Sequence, residues 1–347
     1  MIKNRIKRKI SEASAEEKRK AREIHKKALI VDGTQASYFT SEYFEKVRKS
    51  GVTATIFTVA YNHNLSEAVK LIAKWNKQLA TNSDKALKLL RAEDVLHAKQ
   101  NGKVAYMLAF QNTMPLEGDT SLLEIFYDLG IRMMQLTYND RSLAGYGCGE
   151  KVDHGLTEFG KEVIKEMNRL GMIVDLSHCG DKTTEEAIKL AKCPVFSHSN
   201  SRTLCPNVRN KPDEQIIAIA KKGGLIGVNA FPSFVRSTRM EMGDKPTVED
   251  LLDHVEYLVE LVGVEHVGLG LDFIENVALE EHEQLRSRPD IWGSPAPTGL
   301  YEYPVGISSI AEIFNITLGL VVRGYSEREI MMILGGSWLK VFKNILT

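Results

Sequence analysis

The chain has 347 residues, of which 43% are hydrophobic and 26% charged, enough to bury one large core or two ordinary ones. Lysine plus arginine and aspartate plus glutamate are equal at 45 each, so no global charge attracts the protein to nucleic acid or to an anionic membrane. We therefore expect a soluble globular protein whose partner is a small polar molecule or another protein.

Residues 1–27 are basic but lack the uninterrupted apolar core of a signal peptide. No run in the chain reaches the ~18 apolar residues of a membrane-spanning helix. The pattern predicts a solvated amphipathic helix at the N-terminus. The four cysteines, Cys148, Cys179, Cys193 and Cys205, show no C-x-x-C spacing, so reduced thiols in a cytoplasmic protein are the default expectation.

From residue 28 onward, short apolar runs alternate with amphipathic stretches. The runs are ALIVDG, VTATIFTVA, KVAYMLAFQ, IRMMQLTYN, MIVDLSH, CPVFSH, LIGVNAF and HVGLGLDF. The helical stretches include Leu65–Leu79, Glu158–Leu170, Thr183–Leu190, Asp213–Lys221 and Thr247–Leu261. Apolar strands separated by helices indicate a parallel sheet buried on both faces. We predict a single (β/α)8 TIM barrel over residues 28–347, with an open doubly wound sheet as the alternative. The irregular segment 274–303 is a candidate lid over the catalytic mouth.

In a barrel, site residues come from the carboxyl ends of the strands. Those ends carry Thr34, Ala36, Gln111, Tyr138, His178, His198 and Asp272, and Arg209 lies in the loop after the sixth strand. His178 and His198 end consecutive strands, and neutral imidazole is a preferred ligand of zinc and similar metals. The alternative is that each histidine is structural, bonded to a serine or a backbone carbonyl.

Three further residues have both a functional and a structural interpretation. Asp272 could take a proton from water during hydrolysis or cap the next helix. Arg209 could bind a substrate carboxylate bidentately or pair with Asp213 or Glu214 on the surface. Tyr138 could donate to an oxyanion or be bonded within the structure.

Several motifs together carry a family resemblance. They are GLTEFGKEVIKEMNRLGMIVDLSHC, PVFSHSNSR, RNKPDE, GGLIGVN, HVGLGLDF and RGYSEREIMMILGGSWLKVF. In this order they resemble the membrane (renal) dipeptidase family of zinc peptidases, from about Ala28 to the C-terminus. The resemblance implies a metal-dependent-hydrolase barrel that binds two zinc ions, cleaves dipeptides with a metal-bridging hydroxide and forms homodimers.

Position by position, part of the family's site is retained. The resemblance places the second-metal histidines at His178 and His198, the arginine that binds substrate carboxylate at Arg209, and the catalytic aspartate at Asp272. The His-x-Asp pair expected for the first metal falls on Thr34 and Ala36. The bridging glutamate falls on Gln111, and the histidine thought to polarise the substrate carbonyl falls on Tyr138.

These replacements limit the metal content. Two cations ~3.5 Å apart need anionic ligands between them, and Gln111 is a neutral, weaker ligand. We therefore predict at most one zinc or similar ion, bound by His178 and His198 with help from Gln111, Asp272 or water, or none at all. The predicted function is hydrolysis of a dipeptide or related small amide that carries a free carboxylate. The alternatives are a non-hydrolytic isomerase, lyase or epimerase, and a catalytically inactive ligand-binding protein.

Overall fold

A computed structural model describes residues 7–236, 244–276, 285, 287–293 and 301–346. Its sheet is parallel throughout. The strands are β1 Val31–Gln35, β2 Ala54–Ala60, β3 Ala86–Lys88, β4 Val104–Phe110, β5 Ile131–Gln135, β6 Ile173–Asp175, β7 Ile226–Val228 and β8 Val267–Leu269. Every residue of β4 is buried, as expected for a strand covered on both faces.

The sheet closes into the predicted (β/α)8 barrel. Its strands follow the order β6-β5-β4-β2-β1-β8-β7. Isolated parallel bridges Asp175–Val195 and Phe196–Ile226 join the two ends of this path. The predicted CPVFSH strand is therefore present as a stave held by two bridges, and the open-sheet alternative is wrong. Strand β3 was not among the predicted runs, and it pairs with the first half of β4 outside the barrel path.

Close backbone approach allows this stave to fit. A Cβ atom on Gly227 would lie 2.0 Å from the Ser197 carbonyl oxygen, and one on Gly270 would lie 1.8 Å from the same atom. Any side chain at either position would collide with the backbone of the stave. Glycine at both positions is therefore a packing requirement of the barrel wall.

Helices surround the sheet in the described part of the chain. They are α1 Ala15–Lys27, α2 Ser41–Lys49, α3 Leu65–Thr81, α4 Glu93–Gln100, α5 Leu122–Asp128, α6 Glu158–Leu170, α7 Asp181–Leu190, α8 Asp213–Lys221, α9 Pro232–Val235, α10 Val248–Val262, α11 Pro289–Trp292, α12 Phe314–Val322, α13 Glu327–Met331 and α14 Ser337–Ile345. Short 3₁₀ segments and one π-helical segment, Met332–Gly336, connect some of them. None of the helices described is long and apolar enough to cross a bilayer.

The helix predictions agree closely with these bounds. Helices α6 and α8 have the predicted ends, whereas α3 continues two residues further. Helix α7 begins two residues earlier than predicted, after Gly180 in the N-cap position. Helix α10 begins one residue later, because Thr247 is its N-cap and forms a capping box with Asp250.

The basic N-terminal segment forms α1 and packs against the barrel. Ala21 and Ile24 are buried, and His25 Nδ1 lies 2.7 Å from Thr317 Oγ1 of α12. Basic side chains cover the outer face of the helix. Within the predicted segment 1–27, the α-helix thus begins at Ala15, and its outer face is solvated.

Part of the predicted lid, residues 277–284, 286 and 294–300, lies outside the described residues. The described part includes α11, whose Trp292 is buried. Asn207 Nδ2 donates to Ile291 O at 2.9 Å, and the Ser233 hydroxyl donates to the Trp292 carbonyl. These bonds fix α11 beside the carboxyl ends of the strands.

Candidate active site

The structure brings most of the predicted site residues to one end of the barrel. His178 follows β6, His198 ends the two-bridge stave, and Asp272 follows β8. Thr34 lies within β1, Gln111 directly follows β4, and Tyr138 comes shortly after β5. This convergence is what parallel strand ends in a barrel produce.

His178 and His198 face each other. Their Nε2 atoms are 2.9 Å apart, and His178 Nδ1 donates to Asn139 Oδ1 at 2.7 Å. The rings are 1% and 0% exposed. Burial, with a smaller contribution from the Arg209 cation, lowers the pKa of both histidines well below the usual value. Two neutral imidazoles can share one proton, one nitrogen donating and the other accepting.

A polar network holds His198 at its Nδ1 atom, on the side of the ring away from His178. Ser197 Oγ lies 2.6 Å from His198 Nδ1, and the same hydroxyl contacts the Asp175 carboxylate. Asp175 also accepts from the Ser197 amide at 2.9 Å and from the Ser177 hydroxyl at 2.8 Å. The network therefore fixes the orientation of one imidazole through three neighbouring side chains.

Arg209 is fully buried beneath the histidines. Its Nη1 donates to the Ser177 carbonyl at 2.5 Å, and its Nη2 donates to the His198 carbonyl at 3.1 Å. Nε has no partner among the described residues. The alternative of a surface ion pair with Asp213 or Glu214 is wrong, because the side chain has no exposed surface. The guanidinium joins the two loops that carry the histidines.

Asp272 occupies an uncommon backbone conformation at the end of β8. Its φ is +58°, in the left-handed region. Asn229 Nδ2 donates to its Oδ2 at 3.2 Å, and the Tyr303 hydroxyl donates to its carbonyl. Burial raises the pKa of the carboxyl group to about 7, although the Arg209 cation opposes this shift. An acid with this pKa can accept a proton near neutral pH.

Smaller or neutral side chains occupy the other half of the site. Thr34 Oγ1 donates to the Gly33 carbonyl and lies 3.1 Å from His198 Nδ1. Gln111 Nε2 donates to Thr58 Oγ1 at 2.8 Å. Ala36 offers only a methyl group. Ala36 and Gln111 border a cavity of about 260 Å³ at the barrel mouth.

Aromatic rings separate this cavity from the histidines. Tyr138 stacks on His178 with ring centroids 4.2 Å apart and planes inclined by 21°. The ring centroid of Trp292 lies 6.2 Å from that of His178. The cavity is lined by Ala36, Gln111 and Tyr138, but not by His178 or His198. A ligand in the cavity would therefore contact Tyr138 before either imidazole.

Sequence reasoning missed several residues of this site. Asn139, Ser197, Asp175 and Asn229 orient the predicted side chains, and Trp292 covers them. The spacing D-x-S in VDLSH and the adjacent serine in FSH are signals of carboxylate–hydroxyl pairing near a strand end. Nothing local marks Trp292, which reaches the site from a distant part of the chain.

A TIM barrel with polar groups gathered at the strand ends around a mouth cavity has the architecture of a barrel enzyme. The chain belongs to the membrane dipeptidase family, peptidase family M19, whose family model matches residues 19–291. This confirms the family resemblance found in the motifs. By family and fold the chain is a dipeptidase-like hydrolase.

Individual relatives agree with this assignment. The chain is 27% identical to dipeptidase tcpJ of Claviceps purpurea over 320 residues, which are 91% of this chain and 68% of that protein. It is 38% identical to an uncharacterized dipeptidase of Schizosaccharomyces pombe over 188 residues, covering 52% of this chain but only 44% of the relative. A crystal structure of an amidohydrolase from Pseudomonas aeruginosa superposes with a TM-score of 0.87 at 33% identity, over 94% of this chain and 99% of that one.

The family is one of metallopeptidases, so the fit of a metal must be judged from the ligands. His178 and His198 offer two nitrogens that converge on one point. No group of three or more His, Cys, Asp or Glu side chains in the described ranges could hold a metal ion. Metal sites in proteins normally use at least three strong protein ligands. The described residues therefore do not supply the ligands of a two-metal centre.

Proposed function

We propose that this protein hydrolyses a dipeptide or a related small amide that carries a free carboxylate, with an eroded metal site that binds at most one ion. The observation that carries the proposal is the position of the Asp272 carboxyl group, which follows β8 at the barrel mouth and accepts a bond from Asn229, and burial raises its pKa to about 7. The family membership supports an amide bond as the group attacked. Ordinary L,L- and L,D-dipeptides are expected to be cleaved slowly or not at all.

In the proposed reaction, Asp272 accepts a proton from the attacking water as the water oxygen bonds to the amide carbon, and returns that proton to the amine nitrogen as the C–N bond breaks. Asn229 orients the carboxylate, since its amide donates to Oδ2. Tyr138 stays protonated, because burial raises the pKa of its phenol, and it can donate to the oxyanion that forms on the amide carbonyl. The paired imidazoles, bonded to each other, form the neutral surface on which the Tyr138 ring stacks.

Arg209 is the proposed carboxylate-binding residue. Its Nε is unpartnered and buried, so a carboxylate that reaches it would satisfy a donor that otherwise costs free energy. Both Nη groups are bonded to backbone carbonyls. The proposal therefore uses a single charge-assisted hydrogen bond in place of the predicted bidentate contact.

A second candidate function, ligand binding without catalysis, is favoured by one observation. The histidines are bonded to each other and covered by Tyr138, so they are not presented to the cavity. Turnover separates the two candidates.

The experiment is an amine-release assay with a panel of dipeptides and N-acylglycines, with and without added zinc. Slow turnover that falls at least ~100-fold in the Asp272→Asn variant supports hydrolysis, and the exposed-site control Asp128→Asn should retain it. Binding without turnover of any compound would support the second candidate. Vigorous cleavage of ordinary dipeptides with zinc would refute the eroded metal site.

We further propose a cytoplasmic homodimer that binds neither nucleic acid nor membrane. The four cysteines are all free thiols, which suits a reducing compartment. The homodimer follows from the family resemblance alone, and a molar mass from light scattering would test it.

A further inference from the structure

A second cavity adjoins the first at the end of β1. It has a volume of about 360 Å³. Four residues, Ala36, Thr58, Val59 and Tyr61, line both cavities. A ligand whose amide occupies the first cavity could therefore extend past Ala36 into the second.

One wall of the second cavity is aromatic, and the polar side chains of Ser37, His63 and Gln78 line other parts of it. Phe39, Phe57 and Trp75 form the aromatic wall, and the Phe57 and Trp75 ring centroids are only 3.6 Å apart. Both rings belong to the core packed around β2. The aromatic wall is preformed and offers apolar contact to the methylene groups of a chain.

The rim of the second cavity carries a positive charge. Lys74 of α3 lines it, and no aspartate or glutamate does. The Lys74 ammonium lies 4.8 Å from the Tyr38 ring centroid, and it forms no ion pair with any carboxylate that the structure describes. An anionic group at this rim would therefore meet a cation that no described protein carboxylate neutralises.

The first cavity is different, because its charged groups are already paired. Arg288 contacts the Asp140 carboxylate and lies 3.0 Å from Asp290 Oδ2. A second acidic end group would therefore find its complement at Lys74 and not at Arg288. Aromatic contact along the arm and a cation at its end together specify an amphiphilic ligand.

We propose that the second cavity binds the acyl arm of the substrate, and that this arm is apolar along its length and ends in a carboxylate. This inference rests on the proposed function only in placing the amide in the first cavity. The substrate class is then an N-(carboxyacyl) amino acid or a dipeptide with an acidic N-terminal side chain. Ala36 controls passage between the cavities, and Lys74 selects the terminal charge.

The test compares two acyl chains of equal carbon number, N-adipoylglycine and N-hexanoylglycine. Calorimetry on the full chain should give an affinity about threefold to fivefold higher for the adipoyl compound at low salt. The preference should disappear in the Lys74→Met variant and persist in Lys77→Met, a control on the exposed face of the same helix. Adding about 0.5 M NaCl should also reduce the preference of the wild type for the adipoyl compound.

The Ala36→Leu variant tests the passage independently of charge. It should weaken binding of both long acylglycines more than binding of N-acetylglycine. Equal affinities for the two long compounds, or a preference that survives in Lys74→Met, would overturn the assignment of Lys74. These experiments measure binding and not turnover. A protein that hydrolyses none of the compounds could therefore still show the binding preference, so the two proposals can fail separately.

Discussion

The Nε2 atoms of His178 and His198 face each other at 2.9 Å, and neither ring has more than 1% of its surface exposed. Each imidazole is also held on its other nitrogen, by Asn139 and by Ser197. The pair is thus a closed hydrogen-bonded unit, in which each ring satisfies the other.

This arrangement predicts a low metal content. We expect elemental analysis of protein purified without added metal to find at most one divalent ion per chain, since the two imidazoles converge but no group of three His, Cys, Asp or Glu side chains among the described residues could hold a metal ion. The bound fraction should fall further in a His178→Ala, His198→Ala double variant. Two equivalents that survive mild chelation would show that other ligands complete the centre.

The buried hydrogen bonds of Arg209 predict that shortening its side chain destabilises the protein. The Arg209→Met variant removes donors to the Ser177 and His198 carbonyls, and we expect the free energy of unfolding in urea to fall by about 2–4 kcal/mol. The Arg202→Met variant is the control, because Arg202 pairs with Asp181 while 29% exposed and should cost ~1 kcal/mol or less. If Arg209→Met unfolds like the wild type but loses ligand affinity, its role is only in binding.

Asp32 predicts a pH dependence of stability. Burial raises the pKa of its carboxyl group from 3.8 to about 7. The folded state therefore retains a proton that the unfolded chain releases near pH 4, so the free energy of unfolding falls as pH rises from about 4 to 7. The Asp32→Asn variant keeps an acceptor for the Leu271 amide and cannot ionise. The melting temperature of Asp32→Asn minus that of the wild type should therefore increase as the pH rises from about 4 to 7. The same difference for the exposed-site control Asp128→Asn should not change.

Parallel melting curves for the wild type and the Asp32→Asn variant across that range would contradict this prediction. Asp272, whose pKa is also raised to about 7, contributes in the same direction. The single variant should therefore reduce the pH dependence without abolishing it.

Gly270 predicts a severe packing defect. A Cβ atom there would lie 1.8 Å from the Ser197 carbonyl oxygen, so Gly270→Ala should destabilise the protein by about 3 kcal/mol or more. The control is Gly324→Ala, which has nothing within 4 Å of the added atom and pays only the strain of its positive φ, about 1 kcal/mol. Equal urea midpoints for the two variants would mean that the barrel wall can relax around an added methyl group.

The sequence was sufficient to predict the barrel, because its apolar runs and amphipathic stretches have the lengths and periods of strands and helices. It also identified the strand ends, so His178, His198 and Asp272 could be placed at one mouth. It could not reveal that Tyr138 stacks on His178, since stacking depends on how two loops turn after their strands. The bonds of Arg209 to two backbone carbonyls were hidden for the same reason.

The stave that carries His198 has a further consequence. It joins its neighbours through two bridges and their backbone hydrogen bonds, and the Asp175 carboxylate adds one more bond by accepting the Ser197 amide. Asp175 therefore contributes both to the closure of the barrel and to the network that orients the His198 imidazole. A substitution at Asp175 would therefore disturb the wall of the barrel and the position of the imidazole together, whereas Ala36 and Gln111 take no part in these bonds.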